Sequence, residues 1–231
     1  MIYVTSDIHG CYYTFKELLD KISFSDYDKI ICLGDTIDRG KHNLSLLSMF
    51  MENPDMILIK GNHEFFFELC ISRYLSQYDW ASFGGDTTMK ELNMIPQDKI
   101  IEYYNFIEQL PLYYEHGDYI MSHNGFNSKF PFIKDKNDII NVKETINAQW
   151  AHDPYNFIIS SDIHRKLSDI KLDKKLIVGH YPTPFLGSKR VLHGKNCINV
   201  DCGATYPNGH LGCLCLDTMQ DFYIDIDNRD I

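Results

Sequence analysis

No apolar run in this 231-residue chain approaches the length of a membrane span, which excludes a membrane-spanning helix. Basic stretches are also missing. Lys and Arg are scattered and the formal net charge is −10. Proteins that grip nucleic-acid backbones are usually basic, so a nucleic-acid polymer is not an expected partner. The seven cysteines are odd in number and never form a C-x-x-C pair. Reduced thiols are expected rather than a disulfide framework or a cysteine zinc site, with Cys213 and Cys215 sharing one strand face. The N-terminal Met1-Ile2-Tyr3-Val4 shows no basic segment and no small-residue cleavage site. No secretory signal is therefore expected, and the expected location is the cytoplasm.

Several catalytic signatures fail as well. His63-Glu64 opens like a zincin helix, but position 67 is Phe67 and the second histidine is absent. Gly34 to Lys41 has the glycines of a P-loop one residue too far apart, and His42 stands in place of Ser or Thr. There is no nucleophile elbow.

What the chain does have is a recurring order. Short apolar runs at Ile2 to Thr5, Lys29 to Leu33 and Met56 to Ile59 read as strands. Each is followed by a cluster of Asp, His, Asn and Gly: Asp7-x-His9-Gly10, Gly34-Asp35-x-x-Asp38-Arg39-Gly40, and Gly61-Asn62-His63-Glu64. Helical spacing then follows at Tyr12 to Lys21, around Leu44 to Met51, and from Glu64 to Tyr74. Alternating strand and helix indicates an α/β sheet, and such sheets bind ligands at the C-terminal ends of their strands. Two later clusters extend the order: Ser122-His123-Asn124-Gly125 after Tyr119 to Met121, and Gly179-His180 after Leu176 to Val178.

The rest of the chain carries weaker signals. Trp80 to Asp86 is aromatic and Gly-rich and reads as a loop. Gln97 to Gln109 reads as a helix, and Tyr113 to Met121 as a hairpin. Residues 126–172 show mixed polarity, which suggests a lid or substrate-facing insertion. Strand-like runs return at Cys197 to Val200, Leu211 to Leu216 and Phe222 to Ile226. No linker or repeat interrupts the chain, so one domain over 1–231 is expected.

Each cluster alone is ambiguous. An Asp after a strand often caps the next helix, and Asp38-Arg39-Gly40 also fits a turn with a surface ion pair. Together they supply Asp, His, Asp, Asn, His and His, a mixed oxygen and nitrogen set suited to Mn²⁺, Fe or Zn²⁺ and less to Ca²⁺.

From Ile2 to about Cys215 the set resembles the phosphoprotein phosphatase branch of the calcineurin-like metallophosphoesterases, in its bacterial and bacteriophage-lambda form. The resemblance implies two packed mixed β-sheets flanked by helices, a four-layer αββα arrangement. It implies a dinuclear site, with Asp7, His9 and Asp35 on one ion and Asp35, Asn62, His123 and His180 on the other. Two divalent ions, Mn²⁺ first, would activate a bridging hydroxide. Arg39 and Asn62 would hold phosphate, His63 would protonate the leaving group, and Asp38 would orient His63. Trp80 with Gly84-Gly85-Asp86-Thr87, and Asn199 to Ala204, are similar to further family segments.

Three departures stand out. Asn124 replaces Ala or Gly, and Ser6 replaces Gly. Where the family carries a second phosphate-gripping Arg after a Trp, the best match is Trp150-Ala151-His152, which makes His152 a candidate phosphate contact. Arg165 and Arg190 are the possible substitutes. The leading expectation is a serine/threonine protein phosphatase acting on phosphorylated protein or a small phosphoester, away from membranes. The rivals are a symmetrical dinucleoside-tetraphosphate hydrolase and an inactive metal-binding module that recognises phosphoproteins.

Overall fold

The period-two alternation of the strands sorts the core into three layers. The computed structural model describes residues 1–127, 139–159 and 170–231. Strands β1 (Ile2–Thr5), β2 (Lys29–Cys32) and β3 (Met56–Leu58) run parallel, and they share a five-stranded sheet with β11 (Leu211–Cys215) and β12 (Asp221–Ile224), in the order β12-β11-β1-β2-β3. The second five-stranded sheet has the order β4-β5-β8-β10-β9, from β4 (Tyr113–His116), β5 (Tyr119–Ser122), β8 (Lys175–Val178), β9 (Leu192–His193) and β10 (Cys197–Asn199). A short parallel pair, β6 (Ile139–Ile140) and β7 (Lys171–Leu172), lies apart from both.

Val4, Ile31 and Leu214 of the first sheet share one buried cluster with Met121, Ile177 and Ile198 of the second, so the sheets pack face to face. Tyr3, Ile30, Cys32, Cys213 and Cys215 point the other way, against α1 (Tyr12–Lys21) and α2 (Asn43–Glu52). Ile120, Leu176 and Val178 form the third layer with α7 (Val142–His152) and α8 (Pro154–Ile159). The result is the expected helix–sheet–sheet–helix stack. Cys213 and Cys215 do share a face, and all seven cysteines are free thiols. No helix among the described residues is long and apolar enough to cross a membrane.

One sequence expectation needs correction. Trp80 to Asp86 is not a loop throughout. Between α3 (Asn62–Ile71) and α6 (Gln97–Glu108) lie two short helices, α4 (Gln77–Ser82) and α5 (Asp86–Leu92), which meet at Gly84 with φ of 100°. Ser76 caps α4 by accepting the Asp79 amide at 3.0 Å, and Trp80 is fully buried edge-on to Phe67. Packing, not propensity, makes so short a helix stable. Within the stretch 126–172 the described residues include α7 and α8. Asn141 accepts the Glu144 amide at 2.9 Å and starts α7. Part of that stretch, including Arg165, lies outside the described residues.

Candidate metal centre

Five strand ends deliver the clusters to one place. Asp7 and His9 follow β1, Asp35 and Asp38 follow β2, Asn62 opens α3 after β3, His123 follows β5, and His180 follows β8. The loops turn hard to do this. Asp7, His9, Asp35, Asp38, Arg39 and His180 all hold positive φ, between 48° and 75°. Such conformations cost about 1–3 kcal/mol each and persist where the surroundings over-determine them. Glu64 is one such determinant. Its buried carboxylate accepts from the amides of Asp35, Thr36 and Gly61 and from the Thr36 hydroxyl, all at 2.8–2.9 Å. Gly61 is required there, because a Cβ would sit 2.2 Å from Asp35 Oδ1.

Backbone carbonyls set the tautomer of three histidines. His9 Nδ1 donates to Ile37 O at 2.9 Å, His123 Nδ1 to Leu33 O at 2.8 Å, and His180 Nε2 to Ile159 O at 3.2 Å. With the proton on that nitrogen, the other nitrogen of each ring is left with a lone pair, as metal-ligating histidines require. Burial holds the His9 and His180 imidazoles well below their ordinary pKa, with Arg39 adding at His9 and His123 at His180. Asn62 Oδ1, His123 Nε2 and His180 Nδ1 form a triangle with sides of 2.8, 2.9 and 3.0 Å. Two ligands ~2.1 Å from one ion lie roughly 3.0–3.4 Å apart at octahedral to tetrahedral angles. The triangle fits a coordination face.

Asp35 links this group to a second one. Its Oδ1 accepts the His63 amide at 3.0 Å. Its Oδ2 lies 3.5 Å from His123 Nε2, 3.8 Å from His63 Nε2 and 3.9 Å from His9 Nε2. Two clusters capable of holding a metal therefore share Asp35: His9–Asp35–His63 and Asp35–His123–His180. Burial raises the Asp35 carboxyl well above the usual range, and the charge of Asp7 adds to it. A bound dication would reverse that penalty.

Asp7 lines the same cavity but falls outside the tight first trio. Its Oδ2 accepts from Ser6 Oγ and from the His180 amide. His63 Nδ1 donates to Asp38 Oδ2 at 2.7 Å, and His63 Nε2 faces Arg39 Nη2 at 3.2 Å. Asp38 also accepts from Trp80 Nε1 at 2.8 Å and Thr88 Oγ1 at 2.5 Å. Burial pushes Asp38 up to about 7 and His63 well down, so without cations the pair tends towards neutrality.

His152 does not join the others. It is exposed at the last turn of α7 and does not line the cavity. Trp150 packs edge-on against Phe65 at 5.2 Å, and a residue two further along a helix points roughly 200° away. Arg190 lies over Tyr223, also away from the cavity. Asp201 was missed as a site residue, although the Asn199 to Ala204 stretch was noted. It lines the cavity, is almost fully buried, and its Oδ2 has no hydrogen-bond partner among the described residues. Glu64, Trp80 and Thr88 were missed as supports because their partners are set by tertiary packing.

A family model described as calcineurin-like phosphoesterase matches residues 1–211. The symmetrical bis(5'-nucleosyl)-tetraphosphatase of Nitrosospira multiformis is 30% identical over 126 residues, covering 54% of this chain and 43% of that protein. The chain thus spans under half the length of this relative. Serine/threonine-protein phosphatase 2 of Salmonella typhimurium is 47% identical over 64 residues, covering 27% of this chain and 29% of that protein. A solved structure of a putative diadenosine tetraphosphatase superposes with a TM-score of 0.66 at 16% identity, covering 98% of this chain and 94% of that one, a likeness of fold. Bis(5'-nucleosyl)-tetraphosphatases, symmetrical and asymmetrical, recur among the relatives. They correct the expected placement in the phosphoprotein phosphatase branch. The motifs that suggested it are candidate metal ligands and a candidate general acid, which do not distinguish a phosphoester from a phosphoanhydride.

Proposed function

The chain belongs to the calcineurin-like phosphoesterases, and on that premise we propose that it hydrolyses dinucleoside tetraphosphates at its dinuclear metal site. The recurrence of bis(5'-nucleosyl)-tetraphosphatases among its relatives carries this reading. Asp7, His9 and Asp35 would hold one cation. Asp35, Asn62, His123 and His180 would hold the other. The mixed O and N donors suit Mn²⁺, with Fe and Zn²⁺ as alternatives. When bound, the cations supply Lewis acidity and an activated water.

The protein's own groups do the rest. Arg39 sits at the cavity with its guanidinium beside His63 and can hold a phosphoryl oxygen by charge-assisted hydrogen bonds. His63 Nε2 lies 3.2 Å from Arg39 Nη2 and 3.8 Å from Asp35 Oδ2 and can deliver a proton to the departing oxygen, while Asp38 stabilises the imidazolium. The departing group in this reaction is a phosphate oxygen with a second pKa of ~6, far more acidic than an alkoxide. His63 therefore matters less here than it would for a phosphoserine ester.

The test is a substrate panel with Mn²⁺-loaded protein: diadenosine tetraphosphate, p-nitrophenyl phosphate and a phosphoserine peptide. The expected result is a kcat/KM for diadenosine tetraphosphate at least ~10-fold above the others. Chromatography of the products, ADP alone or AMP with ATP, identifies the bond that is cut. Preference for the phosphopeptide would overturn the proposal.

A further inference from the structure

We propose that Tyr181, Phe185 and Tyr206 form a stacking subsite for the purine base of the nucleotide whose phosphates enter the metal cavity, an inference that rests on the nucleotide reading above. The cavity itself measures about 210 Å³. Sites that enclose whole small molecules span ~300–1,000 Å³, so this one has room for phosphate and cations but not for a nucleoside. The nucleoside must lie on the rim, and the rim is aromatic.

His180 is followed at once by Tyr181, and a 3-10 turn at Thr183–Leu186 then carries Phe185. The rings of Tyr181 and Phe185 are 6.2 Å apart, and those of Phe185 and Tyr206 are 5.0 Å apart. Phe185 is 59% exposed and Tyr181 38% exposed, and all three residues line the cavity. A large aromatic ring left this open beside a polar site forgoes burial that the core would reward, which is expected where a ligand covers it.

The platform is held in place. Thr183 N donates to Asp201 O at 2.8 Å, and Pro182 and Pro184 restrict the turn. Gly203, at φ 76°, lets the two segments approach, since a Cβ there would lie 3.3 Å from Pro184. Rings held in this way cost little to order on binding. The platform also joins the phosphate grip. The Arg39 guanidinium lies 5.3 Å over the Tyr206 ring, and Arg39 Nη1 donates to the Tyr206 hydroxyl at 3.3 Å. In the same cavity lining, Thr205 Oγ1 and Asp201 Oδ2 are buried without hydrogen-bond partners among the described residues. Buried polar atoms are ordinarily satisfied, so both suit a ligand's hydroxyl or a bound water.

The experiment measures competitive inhibition of p-nitrophenyl phosphate turnover by Mn²⁺-loaded protein. AMP is compared with ribose 5-phosphate, which lacks the base, and with O-phosphotyrosine. In the wild-type protein AMP should inhibit at least about tenfold more tightly than either. Phe185→Ala should shrink the gap between AMP and ribose 5-phosphate by at least about fivefold, and Phe185→Trp should preserve it. Each ratio is taken within one protein, so a general loss of activity does not imitate the effect. Absence of the gap in wild type, its survival in Phe185→Ala, or equal inhibition by O-phosphotyrosine would overturn the subsite. If the gap is present but diadenosine tetraphosphate is not cleaved, the substrate proposal fails and the subsite stands. If it is cleaved without a gap, the subsite alone fails.

Discussion

His123 Nε2 and His180 Nδ1 face each other at 3.0 Å, while the opposite nitrogen of each ring donates to a backbone carbonyl. With each ring's proton on the nitrogen that donates to its carbonyl, none lies between the two lone pairs, and Asn62 Oδ1, a third acceptor, completes the group. Three acceptors at hydrogen-bond distance with no donor repel one another unless a cation joins them. His180→Ala should therefore lower Mn²⁺ stoichiometry from two towards one, or weaken the second site by at least ~100-fold. Calorimetric titration of the metal-free variant measures this. Two ions bound at wild-type affinity would show that His180 is not a ligand.

Trp80 offers a test of positioning. Its indole N–H donates to Asp38, which in turn accepts from His63. Trp80→Phe keeps most of the buried ring and removes the donor, at an expected cost of about 1–3 kcal/mol in stability. The expected kinetic effect is a lower kcat with near-normal KM and unchanged metal content, milder than the ~10²–10⁴-fold loss of a general acid in His63→Asn. The Trp80→Phe loss should also be larger for an alkyl phosphate than for a phosphoanhydride. A uniform loss on both would mean that Trp80 acts only through the fold.

Metal-free protein should show an unusual dependence of stability on pH. Burial raises Asp35 and Asp201 well above, and Asp38 to about 7, from the ordinary carboxyl value of 3.8. A carboxyl raised on folding binds its proton more tightly in the native state, so stability falls as pH rises towards the native pKa. Burial lowers His9, His63 and His180, and their cost begins only as pH drops below the unfolded value of 6.5. Tm of the apo protein should therefore rise from pH 8 to about 6.5 and then level off. Saturating Mn²⁺, which favours ionised Asp35, should flatten the rise. An apo protein that grows steadily more stable from pH 6.5 to 8 would contradict this balance.

His152, the sequence candidate for a second phosphate contact, is exposed on α7 and away from the cavity. His152→Ala should leave KM for p-nitrophenyl phosphate within about twofold from pH 6 to 8, since surface changes of this kind usually stay within ±0.5 kcal/mol. A several-fold change in KM would place the residue at the site.

The candidate metal ligands were legible because each follows its own strand by one to four residues, so strand order alone gathers them at one sheet end. Strand faces were legible for the same local reason, as Cys213 and Cys215 illustrate. What failed depends on distant partners. Trp80 is helical because Asp38 and Phe67 receive it, and nothing near it in the chain says so. Glu64 was weighed against a zincin motif, while its work is to hold the Asp35 loop through four hydrogen bonds. The Trp150-Ala151-His152 match ignored helical rotation, which turns His152 outward. The branch was misjudged because metal ligands and a general acid serve both reactions. The Tyr181–Phe185–Tyr206 rim, proposed above as the base subsite, carries none of the residue types that the metal motifs flag.

The most direct test is reconstitution. Protein stripped by chelator is titrated with Mn²⁺ while diadenosine tetraphosphate turnover and bound metal are measured on the same samples. Two shared-carboxylate sites predict no turnover without metal and a rise that reaches its plateau at two equivalents. In Asp35→Asn, which weakens both sites together, turnover should fall by at least ~10³-fold at the same metal concentration. Turnover by verified metal-free protein, or a plateau at one equivalent with Asp35→Asn unimpaired, would contradict the dinuclear account.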